Sequence, residues 1–256
     1  MLSSIDYSVR GEGQPLVLLH GLFGSRENLG AIAKDLSEHF CVYSLDLPGH
    51  GRSAHVDDLS LDAMAAEVLH WMAHVNLSRA HFFGHSLGGK VAMEVALRAP
   101  EHVQSLVVAD IAPVAYEHRH TGVFQGLTAI DLDTLQSRVE ADQVLAATVP
   151  EKPVRSFLLK NLQKKEDGGF RWRMHLDVIH AQYPEMIAAN SDARFDAPVL
   201  FLKAENSDYI KAEYREAIMS RFPQAQLRVV ANTGHWLHAE KPELIASLVR
   251  RFLSAA

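Results

Sequence analysis

The chain has a single cysteine, Cys41, among 256 residues. No intramolecular disulfide is available, so a fold stapled by cross-links is excluded. The count suits a reducing compartment, and a cytoplasmic location is the expectation. Long apolar runs are missing too. None approaches the roughly 18 residues that a spanning helix requires. The opening "MLSSIDYSVRGEGQP" lacks the basic and apolar regions of a secretory signal. Positive charge is in deficit, with 25 Lys and Arg against 31 Asp and Glu, a net of −6. That balance argues against a nucleic-acid footprint and against an anionic membrane surface. No repeat or low-complexity tract is visible. What is present is ordinary: 48% apolar and 22% charged residues, enough for a buried core. The length suits one α/β domain carrying an insertion.

Short apolar runs alternate with helical patterns through the first half. "PLVLLH" (15–20), "CVYSLDL" (41–47), "HFF" (81–83) and "SLVVADI" (105–111) read as buried strands. Between them, Leu29, Ile32, Ala33 and Leu36 keep a helical spacing. Ser60 stands as an N-cap before a helix whose face carries Leu61, Met64, Ala65, Val68, Leu69 and Met72. Residues 87–99 form another helix, closed by Pro100. Such alternation implies an α/β fold: a mostly parallel sheet with helices on both faces. The pattern breaks after Pro113. To about Phe195 the chain reads as polar helices, "IDLDTLQSRVEADQVLAATV" (130–149), "KPVRSFLLKNL" (152–162) and "RMHLDVIHAQYPEMIAAN" (173–190), with "KKEDGGF" (164–170) as a turn. It then resumes with the strands "PVLFLK" and "QLRVVAN" and the helices "YIKAEYREAIMSRF" and "KPELIASLVRRFLSA". The expected organisation is a core of residues 1–113 and 196–256, with 114–195 as a helical cap. The cap would lie over the carboxyl ends of the strands, where open α/β sheets keep their ligand crevice.

One serine stands out. "GHSLGG" (84–89) puts Gly84 and Gly88 two residues either side of Ser86, after a strand and before a helix. A strand that turns this sharply into a helix leaves the serine strained and exposed. Side chains at the flanking positions would strike neighbouring backbone, which calls for glycine. The helix N-terminus then favours negative charge near the hydroxyl. The spacing fits neither a dinucleotide fingerprint nor a P-loop. A serine nucleophile needs a base and an oxyanion hole. In "LLHGLFG" (18–24), Gly21 lets the backbone turn over the sheet, so the N–H of Leu22 can pair with that of Leu87. In "VVANTGHWLHAEKP" (229–242), His235 follows the last strand on a loop that can hang it over the serine. His238 reads as a packing or capping residue. Histidine is abundant, at 15, yet His70 and His74 find no third ligand of suitable spacing, so neither a metal nor another cofactor is expected.

"HGLFGS", "DLPGHGRS", "GHSLGG" and "GHWLHAEKP", in this order and spacing, resemble the α/β-hydrolase fold superfamily over essentially the whole chain. "HGLFGSRENLG", "VVADIAPV" and "LFLKAENSDYI" look closest to small bacterial serine esterases that include acyl-CoA thioesterases. The resemblance implies the chain order Ser, then Asp or Glu, then His. Counting from Ala204, the usual register for the acid lands on Ser207, with Asp208 one further. Asp110 is the other candidate. It is a lone carboxylate ending an apolar strand, where a charge needs a partner that His235 would supply. Asp110 is the first choice and Asp208 the alternative, with Ser207 placed to bridge to the imidazole in either case. "DLPGHGRS" reads as structural, with Asp46 pairing locally. The cap aromatics Phe124, Phe157, Trp172 and Tyr183 read as core of the insertion. The implied activity is hydrolysis of a small-molecule carboxylic ester or acyl thioester. Rival uses of the same triad are C–C hydrolysis, perhydrolysis or a menaquinone-pathway lyase reaction. A non-catalytic reading is a ligand receptor on the same scaffold. The oligomeric state stays open.

Overall fold

A computed structural model describes residues 4–166 and 168–255. Among them a seven-stranded sheet runs in the order β1-β3-β2-β4-β5-β8-β9. The strands are β1 (Tyr7–Arg10), β2 (Pro15–Leu19), β3 (Cys41–Leu45), β4 (Ala80–His85), β5 (Val103–Ala109), β8 (Val199–Ala204) and β9 (Ala225–Val230). Only β1 is antiparallel, against β3; the other pairings are parallel. β1 has no counterpart in the sequence reading. It is an edge strand, largely exposed, so no apolar run announces it.

Central strands are apolar on both faces because both are covered. On one side Leu16, Leu18, Phe83, Val107 and Leu202 pack under α1 (Gly30–Leu36) and the C-terminal helix Pro242–Leu253. On the other, Val17, Leu19, Phe82 and Val108 meet α2 (Leu61–His74) and α3 (Leu87–Arg98). Ser60 caps α2 as expected, its hydroxyl accepting from the Ala63 N–H at 3.2 Å.

Residues 114–195 connect β5 to β8. They carry α4 (Thr121–Thr128), α5 (Arg138–Ala146), α6 (Lys152–Leu158), the hairpin strands β6 (Leu162–Lys164) and β7 (Phe170–Trp172), α7 (Leu176–Ala181) and α8 (Tyr183–Met186). This differs from the sequence reading in three ways. α4 was not expected. Residues 131–137 form turns, where a continuous helix was expected. β6 and β7 pair as a hairpin of three-residue strands, too short for a period to register. The helix expected over 209–222 likewise shrinks to α9 (Arg215–Arg221) behind a single 3₁₀ turn. After β9 come the short α10 (Leu237–Glu240) and the long C-terminal helix α11 (Pro242–Leu253).

Both ends of the inserted segment are tied to α3. Lys90 Nζ donates to the Val114 carbonyl at 2.8 Å. Asn190 Nδ2 donates to the Lys90 carbonyl and to Glu94 Oε2, each at 2.9 Å. Burial pulls the Lys90 amine down to about 7. The segment is thereby anchored on the helix that follows Ser86.

Candidate active site

Register places the site. Gly84 pairs with Val108 and His85 with Ala109, while Ala109 pairs with Leu202. Ser86 and Asp110 are therefore the first residues beyond two adjacent strands. The Ser86 N–H still bonds the Ala109 carbonyl, at 3.0 Å, and the Asp110 N–H bonds that of Leu202, at 2.8 Å. Both residues turn sharply, with φ of 53° each, a strained conformation for a residue with a Cβ. The flanking glycines are sterically required. A Cβ on Gly84 would lie 2.2 Å from the Gly88 carbonyl oxygen. One on Gly88 would lie 2.2 Å from that of Leu19.

His235 hangs on the loop between β9 and α10. The Asn206 N–H bonds the Thr233 carbonyl at 2.9 Å, and Glu240 accepts from the Gly234 N–H at 3.0 Å. From this loop, His235 Nε2 lies 3.0 Å from Ser86 Oγ and Nδ1 lies 2.8 Å from Asp110 Oδ2. The Asp110 side chain is fully buried, and that of His235 is 24% exposed. Asp110 also accepts from the Ala204 N–H, at 2.9 Å, and from the Ser207 hydroxyl, at 2.5 Å. These two donors and the imidazole are the partners a buried carboxylate requires.

Two expectations change here. Asp208, the alternative acid, is paired elsewhere: Arg119 Nη1 donates to Oδ1 at 2.6 Å, and that hydrogen bond holds its carboxyl below the usual carboxylate range. The residue after the strand-end register points to solvent, where a cation of the inserted segment meets it. Ser207 bridges to the Asp110 carboxylate, not to the imidazole.

Leu22 and Leu87 stand with Ser86 around one cavity. Leu87 is the first residue of α3, so its N–H has no acceptor within the helix. His20 shapes the Gly21–Leu22 turn. Its Nδ1–H donates to the Gly21 carbonyl at 2.8 Å, and its Nε2 accepts from the Leu47 N–H at 3.0 Å. Asp46 pairs locally, accepting from the N–H groups of Arg26 and Arg52 at 2.6 and 2.8 Å. A Cβ on Gly51 would meet that carboxylate at 2.1 Å.

Other neighbours were not picked out by the sequence reading. The Tyr209 ring stacks on His235, with centroids 4.0 Å apart and planes 22° apart. The Arg119 guanidinium lies 4.8 Å from the Tyr209 centroid. Tyr116 donates its hydroxyl to the Tyr209 carbonyl at 2.5 Å. His85 Nε2–H donates to the His235 carbonyl at 2.8 Å. These residues lie far from His235 in sequence, and no local pattern marks them. Two cavities flank Ser86. The larger, about 340 Å³, contains Ser86, His235, Val123, Val154, Phe157 and Trp236 on its wall. The smaller, about 30 Å³, has Leu22, Leu87, Ile111, Tyr183, Met186 and Ile187 on its wall together with the polar Lys90, Arg119 and His120. Phe157 and Tyr183 thus border the crevice as well as packing the inserted segment. Among the described residues no three of His, Cys, Asp and Glu converge as metal ligands. No described helix is long and apolar enough to cross a membrane.

Buried histidines around the site give it an acid limit. Desolvation lowers His20 to about 4, His50 to about 3 and His238 to about 4. These folded values lie below the unfolded value near 6.5, so the unfolded chain takes up protons first as pH falls. Stability from these groups is complete above pH 6.5 and declines toward pH 4. At pH 5 each contributes a loss of about 2 kcal/mol, on the order of 6 kcal/mol together. Urea unfolding at pH 7 and pH 5 should show a large fall in midpoint. Equal midpoints would refute the neutral buried histidines.

A family model for the alpha/beta hydrolase fold matches residues 14–242. Esterase YbfF of Escherichia coli is 36% identical over 241 residues, covering 94% of this chain and 93% of that protein. The sn-1-specific diacylglycerol lipase ABHD11 of Mus musculus is 37% identical over 249 residues, covering 93% of this chain and 80% of that protein. A solved structure described as a marine microorganism esterase superposes with a TM-score of 0.94 at 36% identity, covering 97% of this chain and 98% of that one. Strand order, the strained serine after β4 and these likenesses agree: the chain belongs to the α/β hydrolase fold family.

Proposed function

We propose that this chain is a serine hydrolase of carboxylic esters, with acyl thioesters, acyl-CoA among them, as a second substrate class. The observation that carries the reading is the unbroken line Ser86 Oγ, His235 Nε2, His235 Nδ1, Asp110 Oδ2, with contacts of 3.0 and 2.8 Å. His235 takes the Ser86 proton as Oγ attacks the acyl carbonyl. The oxyanion forms toward the N–H groups of Leu22 and Leu87, at the positive end of α3. His235 then gives that proton to the leaving oxygen or sulfur as its bond to carbon breaks. Water, deprotonated by His235, attacks the acyl-enzyme and releases the acid and Ser86. Asp110 orients the imidazole and stabilises its cation. Residues 114–195 act as the cap over this crevice. The esterase and lipase among its relatives support the ester class; neither name speaks for thioesters.

The test is a panel of acyl esters and acyl-CoA thioesters of graded chain length. Turnover of esters with saturation kinetics is expected. A panel with no turnover, together with no labelling of Ser86 by a serine-directed phosphonate, would refute the reading.

A further inference from the structure

Two unequal cavities meet at Ser86, and the proton chemistry decides which part of a substrate each receives. We infer that the smaller one is the acyl subsite and the larger one the leaving-group subsite, so that the substrates are short acyl esters or thioesters whose alcohol or thiol is bulky and largely apolar next to the carbonyl. This rests on the Ser86–His235–Asp110 reading. The leaving atom must take its proton from His235 Nε2, so the leaving group lies on the His235 side of the carbonyl. His235 borders the larger cavity and not the smaller. The acyl chain is left with the smaller one, on whose wall both Leu22 and Leu87 stand.

Volume sets the length. A water-sized group occupies about 10–15 Å³ of such space. The smaller cavity, at about 30 Å³, thus holds two to three non-hydrogen atoms beyond the carbonyl, roughly an acetyl to a butyryl group. Its walls cannot easily retreat. Ile111, Tyr183 and Met186 are 3%, 2% and 1% exposed and belong to the main hydrophobic core. Forcing further methylenes against packed side chains is expected to lose roughly 5- to 150-fold in rate. The larger cavity, some ten times the volume, carries Val123, Val154, Phe157 and Trp236 together with the polar Glu27 and Lys160, which suits an extended leaving group that is largely apolar and ends in a polar part. Its aromatic wall is paired, Phe157 and Trp236 lying 5.6 Å apart.

Two series of esters test the assignment. With one constant aryl leaving group and acyl chains from acetyl to octanoyl, kcat/KM should hold to butyryl and then fall at least 50-fold by octanoyl. With acetyl constant and the alcohol lengthened from methyl to octyl, kcat/KM should rise. Octanoyl turned over as well as acetyl, or a rate falling with the alcohol, would overturn it. Met186→Ala and Ile187→Ala open the wall. Each should raise the hexanoyl-to-acetyl ratio of kcat/KM at least tenfold over the parent chain, with folding checked by the thermal midpoint. An unchanged ratio in both folded variants would also overturn it. These outcomes leave ester hydrolysis standing; the loss of the underlying reading would instead appear as no turnover and no phosphonate labelling of Ser86.

Discussion

Ser86→Ala is expected to lower kcat for a short-chain aryl ester by roughly 10⁴- to 10⁶-fold, the range seen when a triad nucleophile is removed. The argument is one of atoms. Oγ is the group that His235 Nε2 faces at 3.0 Å, and among the described residues no other hydroxyl bonds that nitrogen. The N–H groups of Leu22 and Leu87 survive the change, so slow residual turnover by positioned water is expected. Folding should survive as well. Alanine keeps a Cβ, so the strain at φ 53° is neither relieved nor increased. The one hydrogen bond lost is worth about 1 kcal/mol, a few degrees of Tm at most for a chain of this size. The decisive pair of measurements is the ester rate beside labelling by a fluorophosphonate. The parent chain should label and the variant should not. A variant that still turned over ester at the parent rate would remove Ser86 from the mechanism.

Residues whose roles are enforced by local backbone geometry were legible in the sequence. Gly84 and Gly88 are legible because a Cβ at either would strike backbone, and such a demand leaves a mark at fixed spacing. Asp110 is legible for the opposite reason: a charge at the end of an apolar strand is anomalous unless something pairs with it. Tyr209, Arg119, His20 and His85 carry no such mark. A tyrosine in a polar turn looks alike whether or not its ring lies 4.0 Å from a histidine. Its position over His235 comes from the parallel packing of β8 beside β9, which no local pattern records. The inserted segment was the least legible. Its helices are four to nine residues long, close to one or two turns, where amphipathic period and chance are hard to separate. Asp208 illustrates the remaining gap. Sequence register brings it to the strand end, but its partner, Arg119, lies 89 residues away in the inserted segment.

Asp110→Asn and Asp208→Asn, assayed side by side, should therefore separate by orders of magnitude. Asp110 Oδ2 accepts from His235 Nδ1 and from Ser207, while Oδ1 accepts from the Ala204 N–H. An asparagine can offer one oxygen and must place an NH₂ group at the other position. With the NH₂ toward His235, the imidazole is driven to accept at Nδ1 and carry its proton on Nε2, where it cannot act as base toward Ser86. With the NH₂ toward Ala204, two N–H donors face one another in a fully buried site, which costs about 1–3 kcal/mol. Neither orientation leaves a negative charge to stabilise the imidazolium. A fall of about 10⁴-fold in kcat is expected, as for the same change in other serine triads. Asp208→Asn removes only a largely exposed ion pair with Arg119, whose side chains are 64% and 28% accessible. Such pairs contribute about 0–1 kcal/mol, so the rate should stay within a few-fold. The measurement that weighs most is the pH dependence of kcat/KM in Asp110→Asn. Lost activity should return partly at alkaline pH, where hydroxide can replace the missing base. If Asp208→Asn were the variant that lost four decades and Asp110→Asn kept its rate, the carboxylate behind His235 would be the wrong one.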